Sequence, residues 1–83
     1  MNADTSKLKR RRYLMPGWIK QALQARGLIE DYNNRPPYQQ NDYLGWIEQA
    51  KKPETKLKRL NQMLDELEAG GIYMKMQHPA SSK

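Results

Sequence analysis

Adjacent acids are the first residues in this sequence that invite a chemical reading. Glu30-Asp31 and Asp65-Glu66 each set two carboxylates side by side. Paired carboxylates do acid–base work only when they converge on one reacting group. Neighbouring residues on a helix point about 100° apart, so neither pair converges. No phosphate loop stands nearby: Ala69-Gly70-Gly71 runs into Ile72-Tyr73 rather than into Lys and a hydroxyl residue. No G-x-S-x-G elbow occurs. Cysteine is absent, which removes thiolate nucleophiles, disulfides and Cys-based zinc sites together. A single histidine, His78, has no second histidine to share a metal or orient a triad. The expectation is no enzyme, no catalytic residue, no cofactor and no metal.

Cations are the second group. The chain has 15 Lys and Arg against 9 Asp and Glu, a net charge of +6. Lys51, Lys52, Lys56, Lys58 and Arg59 face one acid, Glu54, within residues 51–59. Asp65, Glu66 and Glu68 then reverse the sign within residues 60–69. On one helix this order opposes the macrodipole at both ends, so its reason must lie outside the helix. Salt bridges to other helices and an anionic partner both answer. Thr55, Arg59, Gln62 and Glu66 share a polar face that spans about 60° of arc. A solvated face is the plain reading of that ridge. The sharper one makes Lys51, Lys52, Thr55, Lys56, Arg59 and Gln62 a partner-binding surface.

A second basic cluster lies near the N-terminus. Lys7, Lys9, Arg10, Arg11 and Arg12 stand against Asp4 alone. Few apolar residues accompany them, so a disordered, anion-binding arm is expected. Two basic patches make nucleic acid the alternative partner, because phosphates favour such surfaces. The helices flanking Lys51-Lys52-Pro53 loosely imitate a helix-turn-helix. Against that, the second of them turns acidic after Leu60 and the turn lacks glycine. A protein partner is therefore the first expectation.

The elements that must position these residues follow from punctuation and periodicity. With 83 residues, one small domain is expected. Pro16 suits a helix start and Gly27 a helix stop, predicting a helix over 16–26 with Trp18, Ile19, Ala22 and Leu23 on one side. Leu28, Ile29 and Tyr32 predict one or two turns more, ended by Asn33-Asn34-Arg35-Pro36-Pro37. Tyr43, Leu44, Ile47 and Ala50 predict a helix over 38–51. Gly45 inside it costs about 1 kcal/mol relative to Ala and is expected to admit a neighbouring helix. Pro53 ends that helix and opens the next, whose Leu57, Leu60, Leu64 and Leu67 form an apolar stripe before Gly70-Gly71.

Ile72, Tyr73, Met74, Lys75 and Met76 alternate like a strand with no partner in the chain. Such a strand packs as a tail or seeks a second copy, so a homodimer through Ile72 to Met76 is possible. With Phe absent, Trp18, Tyr32, Tyr38, Tyr43 and Trp46 are expected to build the core rather than a ligand pocket. The fold expected is all-α. It is a small bundle of three main helices plus one short helical segment over 15–76, with a disordered arm at 1–14 and a disordered tail at 77–83. No apolar run nears the roughly 20 residues of a membrane span. The interrupted run after the basic cluster lacks a cleavage site. A cytoplasmic location is expected.

One stretch carries a family resemblance. Residues 43–60 read Tyr-Leu-Gly-Trp-Ile-Glu-Gln-Ala-Lys-Lys-Pro-Glu-Thr-Lys-Leu-Lys-Arg-Leu. An aromatic-rich helix running into Ala-Lys-x-x-Glu-Thr, a basic residue, then Arg and an aliphatic residue resembles the C-terminal region of the bacteriocin-protection, YdeI or OmpD-associated family. Ala50, Lys51, Glu54, Thr55, Arg59 and Leu60 match in position, and Lys56 stands where the family more often has Arg. A looser likeness extends over 15–76 and takes in Arg35-Pro36-Pro37-Tyr38. The resemblance implies a stand-alone helical domain of the C-terminal type, without the extra N-terminal domain of longer members. It implies no catalytic residues and a role in antimicrobial-peptide or stress protection. Thr55 and Arg59 are expected either to tie the last helix to the first helix or the 33–37 loop, or to meet a partner.

Overall fold

The computed structural model describes residues 13–77. Helix α1 is Gly17–Ala25, α2 is Ile29–Asn33, α3 is Pro37–Glu48 and α4 is Pro53–Ala69. Two short strands follow, β1 (Ile72–Tyr73) and β2 (Met76–Gln77). The fold is a small all-α bundle with a hairpin laid on α4. The expected arm residues Lys7, Lys9, Arg10, Arg11 and Arg12, and His78 in the expected tail, lie outside the described residues.

Local chemistry sets each helix end. Gly27 takes φ 67°, and the Leu28 N–H then donates back to the Leu23 carbonyl at 2.8 Å. This left-handed stop turns two buried leucines toward each other and sends the chain into α2. Pro37 and Pro53 sit in the first turns of α3 and α4. There a missing N–H costs nothing. Lys52, before Pro53, is extended at ψ 142°, so the corner between α3 and α4 forms where expected. Helix α3 stops at Glu48, short of the predicted Lys51, because residues 50–52 are drawn into that corner.

The main packing sets α3 against α4, with α2 lying against both α1 and α4. Ile19, Leu23, Leu28, Tyr32, Tyr43, Leu44, Ile47, Leu60, Met63, Leu64 and Leu67 form one buried cluster. Two expectations are corrected here. Leu57 is 54% exposed and does not belong to the stripe. The buried side of α4 runs from Leu64 across Leu67, Leu60 and Met63 to Glu66, about 160° of arc at 100° per residue. Leu57 falls beyond the Leu64 edge, because the core is rotated toward Met63 and Glu66. Trp18 and Tyr38 are also not core, being exposed, while Trp46 is half-buried and packs against the cluster. Tyr32 and Tyr43 fill the interior instead.

The expected lone strand is a hairpin. Ile72 opposes Gln77 and Tyr73 opposes Met76 in antiparallel register. One edge of Ile72–Tyr73 is thus paired within the chain, by Met76–Gln77. Among the described residues, no helix is long and apolar enough to cross a membrane.

Candidate functional site

The polar ridge predicted on α4 is where the fold closes rather than an open face. Arg59 reaches back to α3, its Nη1 donating to the Trp46 carbonyl at 2.5 Å while its guanidinium lies 5.3 Å from the centre of the Trp46 ring. It ties α4 to α3, not to the first helix or the 33–37 loop. Lys56 pairs with Glu48 of α3 at 3.6 Å. Gln62 donates to a Glu66 carboxylate oxygen at 3.1 Å. Thr55 is half-buried, and Lys51 and Lys52 stand exposed at the corner. Of the six predicted partner residues, Lys56, Arg59 and Gln62 contact their own chain, Thr55 is half-buried, and Lys51 and Lys52 face solvent. Arg59→Ala is expected to cost about 1–3 kcal/mol, since it strips a half-buried carbonyl of a charged donor. Arg59→Lys should restore less than half of that, because an ammonium lacks the planar fork. Urea unfolding followed by tryptophan emission checks both.

Charge reversal along α4 also finds its reason in tertiary contacts. Arg26, just past the end of α1, reaches Asp65 at 3.3 Å and Glu68 at 2.8 Å. Both acids are largely exposed, so the pairs contribute little to stability and mainly set where α1 sits.

Glu66 forms the centre. Its side chain is buried, and its carboxylate accepts four hydrogen bonds. The Tyr43 hydroxyl donates at 2.5 Å and Gln62 at 3.1 Å. The backbone N–H groups of Met74 and Lys75 each donate at 2.8 Å. Those two residues form the hairpin turn, with φ 52° and φ 67°. Left-handed backbone at two residues bearing side chains is costly, on the order of 1–2 kcal/mol each. Two successive N–H groups held this way cup an anion. The carboxylate thus offsets the strain of a turn that usually demands Asn-Gly. Beside it, buried Arg35 donates to Gln39 Oε1 at 3.1 Å and to the Glu66 backbone carbonyl at 3.0 Å. No sequence signal marked Glu66 as buried or paired Tyr43 with it, although Arg35 lay within the family-like stretch.

Two phenols in this part of the core are buried, Tyr43 and Tyr32. Burial raises the Tyr43 hydroxyl well above the ordinary phenol range, and the hydrogen bond to Glu66 and its negative charge raise it further. Burial also pushes Tyr32 up to about 12. The Tyr32 hydroxyl donates to the Gln40 carbonyl at 3.3 Å. Both phenols hold their protons longer in the folded chain than in the unfolded one, so their contribution to stability is complete below pH 10 and declines as pH rises beyond it. Each adds a slope of up to about −1.4 kcal/mol per pH unit. Above about pH 12 Tyr32 adds no further slope. Tyr43→Phe should flatten the stability curve above pH 10, read by urea midpoints across that range. An unchanged slope would contradict the buried phenol.

A second feature is a cleft between α3 and the hairpin, walled by Tyr13, Trp46 and Tyr73 with Asn41, Asp42 and Gln49. Gly45 is its floor. A Cβ there would lie 2.5 Å from the Tyr13 ring, so the close approach that Gly45 admits is that of Tyr13 rather than of a helix. Among the described residues, no group of three or more His, Cys, Asp or Glu is placed to hold a metal ion.

A family model described as bacteriocin-protection, YdeI or OmpD-associated matches residues 12–70. No curated protein and no solved structure matches the chain. The matched span covers α1 to α4, with the Arg35–Glu66 contact and the Arg59–Trp46 clamp inside it. By that match the chain belongs to the bacteriocin-protection, YdeI or OmpD-associated family.

Proposed function

We propose that the chain is a non-enzymatic interaction module of this family. It acts in the cytoplasm, in the antimicrobial-peptide or stress protection that the family's description suggests, by binding a protein partner. One observation carries the reading. The ionisable groups that chemistry would call on are spent on the fold: Glu66 accepts four bonds, Tyr43 donates to it, Arg35 is buried beside it and Arg59 is clamped on Trp46. What remains at the surface is contact material, including Leu57, Trp18, Lys51 and Lys52.

Affinity capture from native lysate at low and high salt tests this. A discrete protein retained at both is the expected result, since apolar contacts survive screening. Retention of nothing at either salt overturns the reading.

A further inference from the structure

We propose that the groove along the exposed side of α4 takes a cationic amphipathic helix of a partner protein. The inference rests on the protein-binding reading and names the surface and the chemistry of the partner.

The groove is lined along α4 from Glu54 to Ala69, and Ile72 of the hairpin adds to its wall. Leu57, the leucine that the core leaves out, is exposed toward one end, and Ala69 is exposed at the other. Between these ends α4 rises about 22 Å, roughly four turns. Glu54, Lys58, Asn61 and Asp65 share about 60° of arc at i, i+4, i+7 and i+11. Rows of that spacing are the ridges against which a second helix packs. The backbone groups of α4 are used within its own turns, so an extended strand finds no ladder along it.

Charge decides which helix fits. Glu54, Asp65 and Glu66 line the groove with Lys58, and Arg26 bridges Asp65 and Glu68 at its side. Four carboxylates against two cations make this region −2 on a chain of +6. Lys51 and Lys52 stand before α4 and are not among the lining residues. Glu66 is held by its four donors and belongs to the fold. Glu54 and Asp65 face outward. Glu54 is exposed, and Asp65 meets Arg26 through one oxygen while its side chain stays 72% exposed. They lie about three turns apart. A helix with Lys or Arg at that interval and apolar residues between them reaches both carboxylates and covers Leu57 and Ala69. An anionic helix is repelled at the groove although the chain as a whole attracts it.

Fluorescence anisotropy on the full chain at about 150 mM salt tests this with three labelled peptides of about 18 residues, five helical turns. One is an amphipathic Leu/Lys helix, one its Leu/Glu counterpart, and one a Leu/Lys peptide of equal composition without an apolar stripe. The first should bind at least about tenfold more tightly than either other. Leu57→Ser should weaken it about tenfold. Asp65→Asn and Glu54→Gln should each weaken it about two- to fivefold. Lys58→Gln should tighten it, whereas Lys20→Gln, an equal change of net charge on the exposed side of α1, should leave it within about twofold. The substituted positions are all exposed, and circular dichroism should show the parent's helix content in each variant. Equal or tighter binding of the Leu/Glu peptide, equal binding of the stripeless peptide, or affinity unmoved by Leu57→Ser and Asp65→Asn would each overturn the proposal. So would sedimentation showing a dimer that Leu57→Ser dissolves, which gives the groove to a second copy. A lysate protein retained equally by the parent and by Leu57→Ser removes this proposal and leaves the interaction-module reading standing.

Discussion

Glu66→Ala is expected to lower stability by about 3–5 kcal/mol, enough to unfold much of a domain this small at 37 °C. The substitution orphans four donors at once. The Tyr43 hydroxyl is left buried with its acceptor gone, and the Met74 and Lys75 N–H groups lose the anion that makes their left-handed turn tolerable. Each buried donor left unmade costs about 1–3 kcal/mol. Glu66→Gln keeps the volume and one oxygen but turns an amide toward a donor, so about half the loss should remain. Urea unfolding monitored by circular dichroism gives both numbers. Hydrogen exchange at Met74 and Lys75 separates the lock from general destabilisation: in Glu66→Gln these amides should exchange far faster than those of α3. A Glu66→Ala chain within 1 kcal/mol of the parent would refute the assignment.

Arg35→Ala should cost about 2–4 kcal/mol. Arg35 is 4% exposed, and its guanidinium is given to two acceptors, Gln39 Oε1 and the Glu66 carbonyl. Truncation strands both oxygens, one of them a buried backbone carbonyl of α4 that loses a charged donor. Arg35→Lys keeps the charge and loses the fork, so it should recover less than half. Because Arg35 and Glu66 share one polar cluster, the double variant should lose roughly 1–2 kcal/mol less than the sum of the singles. Strict additivity would mean that the two residues act separately.

How much of this was readable in advance follows from the range over which each signal acts. Pro37, Pro53, Gly27 and Gly70 act on their own dihedrals or on those of the next residue, so four helices and their corners could be placed from the letters alone. The 3.6-residue period located Ile19, Leu23, Tyr43, Ile47, Leu60, Leu64 and Leu67 correctly, since each helix has one side to bury. Leu57 failed because the period gives a side and not its centre. That centre was shifted when a hairpin and Arg35 came to lie against the flank of Glu66. The family-like stretch was also legible, because its residues are consecutive.

Only the three-dimensional packing decided what the charged residues do. Arg26 meets acids about 40 positions away, Arg59 meets a carbonyl 13 positions back, and Glu66 holds a turn eight positions ahead. None of these distances is a helical repeat or a turn motif, so local pattern carries no trace of them. The Met74-Lys75 turn is the clearest instance. Its two residues argue against left-handed backbone, and they adopt it because a buried carboxylate, delivered by another element, accepts the N–H groups that this conformation points inward. Local letters specify where a helix begins, ends and hides its apolar side. Which polar groups become neighbours is a property of how the helices dock, and a partner for each buried charge exists only after they have done so.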